Sequence, residues 1–289
     1  MRWLAIKAVF FDIDGTLLTD NRTVSKSTIL AINSLKAKGI LVGLATGRDP
    51  RFILQYMASL GLDVAVAYNG QYIFSREDVI YSRTIDVVTV NHIIDFAQQN
   101  HKDLSFGTAK GVVGSGIMSM GTGNLAYRIT RMIPDSWAGV INFIFNRIIR
   151  WISPQEQEDL RLHNTQPIYQ MMLLVTEKET RQLEASFSNL SFTRSSPFAT
   201  DIISKGASKL TGIANLAGHY QFDMDEVMVF GDSNNDFEML QEIKYSVAMG
   251  NGTKKVKQVA SYVTDTNNRD GIYKALIHFG VIEGDHVSK

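Results

Sequence analysis

The sequence has no cysteine among its 289 residues. Disulfides and zinc sites built on thiolates are therefore excluded, and a cytoplasmic protein is the expectation. It also has no excess of charge, since 29 Lys and Arg stand against 29 Asp and Glu. No global field draws the chain to nucleic acid or to an anionic membrane, so neither is expected as a partner. Long hydrophobic runs are scarce too. The opening stretch, MRWLAIKAVFFDIDGTLL, is interrupted by Lys7 and then by acidic residues. It lacks a long apolar region and a small-residue cleavage site, so no signal peptide is expected. Residues 137–152 (WAGVINFIFNRIIRWI) are too few to span a bilayer and carry Arg147 and Arg150. Trp137, Val140, Ile141, Ile144, Phe145, Ile148, Ile149 and Ile152 share one face at helical spacing. This predicts an amphipathic helix packed on its own domain, with a membrane-surface or partner-binding face as the alternative.

What is present is enough for a core. Apolar residues make up 45% of the chain, and its length suggests one large domain or two smaller ones. Residues 8–11 (AVFF) read as a buried strand ending at Asp12. A helix follows over roughly 25–38, with Ile29, Ile32 and Leu35 expected inward and Gly39 ending it. A strand at 40–45, a helix at 50–60 and a strand at 64–67 come next, before the turn pair Asn69-Gly70. This β-α-β-α-β order predicts an α/β fold with a doubly wound parallel sheet. From 82 to 195 the rhythm changes. Alternating segments appear, such as Ile85-Asp86-Val87-Val88 and 170–175, together with a Gly/Ser/Met-rich stretch, 111–123, that reads as loop. The expectation is an inserted α+β domain at 82–195, within a core formed by 1–81 and 196–289. The α/β rhythm resumes near 200, with a helix at 208–219 and strands at 227–231, 245–248 and 262–264.

In an open parallel sheet, reactive groups collect at the carboxyl ends of the strands. Four polar clusters lie there or at a matching helix start: 12–16 (DIDGT), 46–48 (TGR), Ser208-Lys209, and 231–236 (GDSNND). Singly, most have an ordinary structural reading, as a cap, a turn or a solvated lysine. Together they make a site. Several carboxylates converging in one crevice repel each other and call for a cation. With no Cys or His at hand the ligands are all oxygen, which favours a hard ion, Mg²⁺ where phosphate is handled. Thr46, Lys209 and the backbone N–H groups around Gly15 and Gly47 supply donors for phosphoryl oxygens, and phosphoryl transfer depends mainly on such positioning and charge.

The ordered motifs resemble those of the haloacid dehalogenase superfamily, and within it the Cof-type sugar-phosphatase branch with a large inserted C2-type cap. FFDIDGTLL at 10–18, ATGR at 45–48, GDSNNDFEML at 231–240, VAMGNG at 247–252 and NRDGI at 268–272 carry the likeness. In DIISKGASKLTGI (201–213) two lysines compete. Lys205 is followed by Gly, as the family's lysine usually is. Lys209 fits the longer pattern and the start of a helix running antiparallel to strand 227–231, although Leu210 stands where the family has Gly.

The resemblance implies a phosphatase. Asp12 is the nucleophile, forming an aspartyl-phosphate, and Asp14 is the general acid and base. Mg²⁺ is held by Asp12, the Asp14 carbonyl, Asp232 and Asp236, the last through water or as a further ligand. Thr46, Gly47, Lys209 and Asn235 bind phosphate. The inserted cap would choose among small phosphorylated metabolites such as sugar phosphates, with Arg128, Arg131, Arg147 and His163 as polar candidates. Residues 111–152 match no pattern of the family and are open to shaping the pocket, covering it or forming a homodimer contact. A phosphomutase or phosphotransferase using the same aspartyl-phosphate is the main alternative. A response-regulator receiver is shorter and lacks the second aspartate. A binding protein that has lost activity conflicts with the intact carboxylate set.

Overall fold

The computed structural model describes residues 6–114, 166–194 and 199–284. They divide into two compact units, one of residues 1–48, 52–81 and 208–289, the other of residues 49–51 and 82–207. The first is built on an eight-stranded sheet. Its strands are β1 (Ala8–Phe11), β2 (Leu41–Ala45), β3 (Val64–Ala67), β4 (Tyr72–Ser75), β5 (Val79–Ser82), β11 (Val227–Gly231), β12 (Tyr245–Ala248) and β13 (Tyr262–Val263). The spatial order is β13-β12-β11-β1-β2-β3-β4-β5. The run from β13 to β3 is parallel, and β4 turns back antiparallel to β3.

The chain steps outward from β1 to β2 and β3, then returns on the other side of β1 with β11, β12 and β13. Strand order therefore reverses between β1 and β11, the place where open α/β sheets form a crevice at their carboxyl ends. Both strands are wholly buried, as the near-continuous apolar runs AVFF and VMVFG require when helices cover both faces. Ala8 and Phe10 point to one face, where they join Ile213 and Leu216 of helix α5 (Lys209–Tyr220), Met239 and Leu240 of α6 (Phe237–Glu242) and Val256 of α7 (Lys254–Val259). By the same alternation Val9 and Phe11 face the other way. Among the helices of this unit, α1 (Lys26–Ala37) packs against the last, α8 (Gly271–His278).

In α1 the buried stripe is Thr28, Ala31, Ile32 and Leu35, and Ile29 is exposed. The expected inward position of Ile29 is corrected by the register: residues 28, 32 and 35 lie on one face, and 29 falls a third of a turn away. Helix α2 (Pro50–Leu60) matches expectation.

The second unit holds a five-stranded antiparallel sheet in the order β7-β6-β8-β10-β9. Its strands are β6 (Leu104–Thr108), β7 (Gly111–Gly114), β8 (Gln170–Leu174), β9 (Leu190–Thr193) and β10 (Ala199–Ser204). Helices α3 (Val87–Gln99) and α4 (Glu177–Ser186) bury Val90, Ile93, Ile94 and Leu183 against Phe106, Met171, Leu173 and Ile202 of the sheet. Three readings change here. Residues 85–88 are a helix start with Asp86 as N-cap, its side chain accepting from the Thr89 N–H. The first residues of the Gly-rich stretch, 111–114, are a strand paired with β6. The unit also runs past 195 to 207, because β10 pairs with β8 and β9 in this sheet. The predicted helix at 137–152 and the candidates Arg128, Arg131, Arg147 and His163 lie outside the described residues. Among the described residues, no helix is long and apolar enough to cross a membrane.

Candidate active site

The reversal of strand order puts the ends of β1 and β11 side by side. Phe11 and Phe230 are register partners, and the Asp12 N–H donates to the Phe230 carbonyl at 3.0 Å. The next residues outward are Asp12 on one strand and, past Gly231, Asp232 on the other. Both are buried. The chain can turn at once after β1 because Gly15 takes a positive φ of 88°. A Cβ there would lie 2.4 Å from Asp232 Oδ2, so the absence of a side chain at Gly15 is what lets the Asp232 carboxylate come in.

Lys209 enters from the first turn of α5. Ser208 caps that helix reciprocally, its hydroxyl accepting from the Thr211 N–H and its own N–H donating to the Thr211 hydroxyl. Gly70, at φ 100°, allows the turn after β3 to press against the Ser208 carbonyl, where a Cβ would lie at 2.1 Å. The Lys209 ammonium donates to Asp12 Oδ1 and to Asp236 Oδ1, both at 2.6 Å, and its side chain is fully buried. Of the two lysines considered, Lys209 is the one that meets Asp12, and Lys205 is exposed. Leu210, where the family's Gly is expected, packs against the core under α5.

Asp236 is buried to 0% exposure. Its second oxygen, Oδ2, accepts the N–H groups of Asp232 and Ser233, each at 2.9 Å. One carboxylate thus ties the ammonium to the backbone that presents Asp232. Burial pushes the Asp12 carboxyl up to about 7; Lys209 opposes this, and Asp236 and Asp14 add to it. Burial by itself would draw the Lys209 ammonium down, but the charges and hydrogen bonds of Asp12 and Asp236 hold it above its ordinary range.

Asp14 is less buried and is gripped by Arg48. Nε donates to Oδ2 at 2.6 Å and Nη2 to Oδ1 at 3.0 Å. Thr46 is buried at the end of β2, and its hydroxyl accepts from the Arg48 N–H at 3.2 Å, which leaves its own proton for another acceptor. A Cβ on Gly47 would lie 3.0 Å from the Asn69 side chain, which accepts from Asn235 Nδ2 at 3.3 Å. Asn235 also accepts from the Ser233 hydroxyl at 2.9 Å, so it is tied to Ser233 and Asn69 rather than to Lys209.

Asn251, in one C-terminal motif, and Asn267, just before the other, brace the loop after β1. Asn251 donates to the Gly15 carbonyl at 2.8 Å and accepts from the Asn267 N–H at 2.9 Å. Asn267 in turn donates to the Leu18 carbonyl at 2.8 Å. The partners Arg48, Asn69, Ser233 and Asn251 had no role assigned from sequence. Arg48, Ser233 and Asn251 stand inside quoted motifs and Asn69 in a quoted turn pair, and that was the one available signal; nothing local marks a long-range partner.

Asp12, Asp232 and Asp236 bring oxygens within 4.8 Å of one another. Three buried carboxylates against one ammonium leave negative charge in excess, and burying that is costly unless a cation joins them. The donor set is all oxygen, which suits a hard divalent ion. The geometry is therefore that of a buried carboxylate at a strand end, an ammonium against it, hydroxyl and backbone donors, and room in the charge balance for a cation.

The sequence pattern of haloacid dehalogenase-like hydrolases matches residues 9–276. The chain is 28% identical over 278 residues to 5-amino-6-(5-phospho-D-ribitylamino)uracil phosphatase YcsE of Bacillus subtilis, covering 95% of this chain and 96% of that one. It is similar in structure to the phosphatase BT1666 of Bacteroides thetaiotaomicron, with TM-score 0.77, 30% identity and 96% of each chain covered. It is also similar to the subclass IIB sugar phosphatase BT4131, with TM-score 0.77, 29% identity, and 96% and 100% covered. The chain belongs to the haloacid dehalogenase-like hydrolases, and within that family it is a phosphatase.

Proposed function

We propose that this phosphatase hydrolyses small phosphorylated metabolites, sugar phosphates or similar, through an aspartyl-phosphate on Asp12. The observation that carries the reading is the Lys209 ammonium at 2.6 Å from Asp12, in a buried cluster with Asp232 and Asp236. Asp12 attacks phosphorus in line, and the bond from phosphorus to the leaving oxygen breaks as the Asp12 oxygen bonds to it. Asp14 gives a proton to the leaving oxygen, then takes one from the water that hydrolyses the acyl phosphate. Lys209 holds Asp12 in place and offsets the phosphate's charge. The Thr46 hydroxyl and the Gly47 N–H bond phosphoryl oxygens, and Asn235 supports that side of the site.

Asp12, the Asp14 carbonyl and Asp232 would hold Mg²⁺, with Asp236 acting through water, because both Asp236 oxygens already accept bonds from protein groups. Such an ion supplies positive charge against the phosphoryl oxygens. The inserted unit at 82–207 is assigned the choice of substrate. The sugar-phosphate class is supported by the names of YcsE and BT4131, which act on a phosphorylated ribityl compound and on sugar phosphates.

The test is a panel of phosphorylated metabolites, assayed with and without Mg²⁺ and repeated with Asp12→Asn. Metal-dependent release of inorganic phosphate that disappears in the variant is expected. Full activity in Asp12→Asn, or no release from any panel member, would overturn the reading. A requirement for a bisphosphate activator with little phosphate released would favour a phosphomutase.

A further inference from the structure

Lys209 bonds Asp12 and Asp236, whereas Asp14 is gripped by Arg48. The guanidinium meets both carboxylate oxygens, at 2.6 and 3.0 Å, with each side chain about a quarter exposed. A bidentate fork fixes the plane of a carboxylate as well as its position, which a point-like ammonium does not. The fork is itself held on two sides. At its base the Arg48 N–H is bonded to the Thr46 hydroxyl. At its tip the guanidinium lies 4.7 Å from the ring centre of Phe52, which sits on the first turn of α2. Arg22 faces the same ring at 5.5 Å, and Tyr56 packs beside it at 5.4 Å. The arrangement from Thr46 through Arg48 to Phe52 is a support on which Asp14 rests.

We infer that Arg48 is a positioning residue for the proton transfer made by Asp14, with Phe52 setting the plane of its guanidinium. This rests on the proposed roles of Asp12 and Asp14 and deepens them. Asp14 enters the step with a proton taken from solvent, one oxygen turned to the leaving oxygen. As Asp12 bonds to phosphorus and the bond to the leaving oxygen breaks, that oxygen takes the proton, and Asp14 becomes the carboxylate that the Arg48 fork grips on both oxygens. Only a carboxyl group held at the right distance and angle transfers that proton in step with bond breaking. A leaving group stable as an anion needs no proton, so only poor leaving groups feel the loss of alignment.

That difference supplies the test. kcat/KM, which covers events up to phosphoryl transfer, is measured for phenyl, 4-nitrophenyl and 2,4-dinitrophenyl phosphate with the wild type, Arg48→Gln, Arg48→Lys, Phe52→Leu and Asp14→Asn. In Arg48→Gln the phenyl phosphate value is expected to fall by ~10–100-fold, and that for 2,4-dinitrophenyl phosphate by less than ~3-fold. Asp14→Asn should show the same graded pattern. Arg48→Lys should show it too, because charge without a fork does not fix the plane, and Phe52→Leu should show a weaker version. Adding Arg48→Gln to Asp14→Asn should cost little more. Equal losses on all three esters, no loss, or full additivity in the double variant would overturn the inference. If Arg48→Gln does not fold, Arg48→Lys and Phe52→Leu decide it by the same pattern. Failure of the underlying reading looks different: wild type inactive on every ester, or Asp12→Asn still active.

Discussion

The Lys209 ammonium stands between Asp236 and Asp12, 2.6 Å from an oxygen of each, with the Lys209 and Asp236 side chains wholly buried. Removing it leaves buried carboxylates facing one another without their cation. Lys209→Met is expected to lower unfolding stability by about 3–5 kcal/mol in chelator-treated protein. Lys205 is exposed, and Lys205→Met should change stability by less than about 0.5 kcal/mol. Denaturant titration of the two variants checks this. Equal effects, or a larger one at Lys205, would contradict the placement of the lysine.

Gly15 and Asp232 make the second close relationship. Gly15→Ala combines a φ of 88° with a Cβ that would lie 2.4 Å from Asp232 Oδ2. The backbone strain costs about 1–3 kcal/mol. The displaced carboxylate should also weaken metal binding. The expected result is a lower melting temperature and a much smaller rise on adding Mg²⁺ than in wild type. An unchanged Mg²⁺-induced shift would show that Asp232 does not need this approach.

Much of the core of this molecule is written in local pattern. The runs AVFF and VMVFG are apolar because both sheet faces are covered, and each is followed by an aspartate, so the placing of Asp12 and Asp232 side by side across the switch point was readable. Lys209 could be chosen over Lys205 because it falls at the start of α5, whose direction follows from the order of elements. What escaped depends on distant residues meeting. Nothing in ATGR says that its arginine turns to Asp14, since that contact spans 34 positions. Nothing in DIISKG says that 199–204 pairs with β8 and β9, because an apolar strand reads the same in a parallel or an antiparallel sheet. Ile29 was misplaced for a simpler reason: Thr28, a polar residue, takes the buried position that a purely apolar pattern would not give it.

Acidity links the site to metal binding. Burial raises the Asp12 carboxyl to about 7 in the metal-free protein, with Asp236 and Asp14 adding to the rise. A carboxyl raised above its unfolded value binds its proton more tightly in the folded state. Its contribution to stability is therefore present at low pH and lost as pH rises from about 4 through about 7. A divalent ion favours the ionised form and restores that loss. The Mg²⁺-induced rise in melting temperature should thus be larger at about pH 8 than at about pH 5, where the ion must displace a proton. Asp12→Asn should remove most of this dependence. A shift independent of pH in wild type would rule the account out.

Asn251 tests whether the brace behind the loop after β1 matters to the chemistry. Its amide gives a hydrogen to the Gly15 carbonyl and takes one from the Asn267 N–H. Asn251→Ala leaves both backbone groups without that partner, at a cost of about 1–3 kcal/mol. Asn251→Asp keeps the acceptor for Asn267 but turns a carboxylate oxygen toward the Gly15 carbonyl, so two acceptors face each other. The loop carrying Asp12 and Asp14 should then shift away from its place against Asp232. Asn251→Asp is therefore expected to lower kcat more than Asn251→Ala does, even though neither removes a group that touches the reacting atoms. Steady-state kinetics on one panel substrate at saturating Mg²⁺, read beside denaturant titrations of both variants, separates the two effects. If kcat falls only in proportion to lost stability, or if the alanine variant is the slower of the two, then the bond to Gly15 holds the fold and does not hold Asp12 for the reaction.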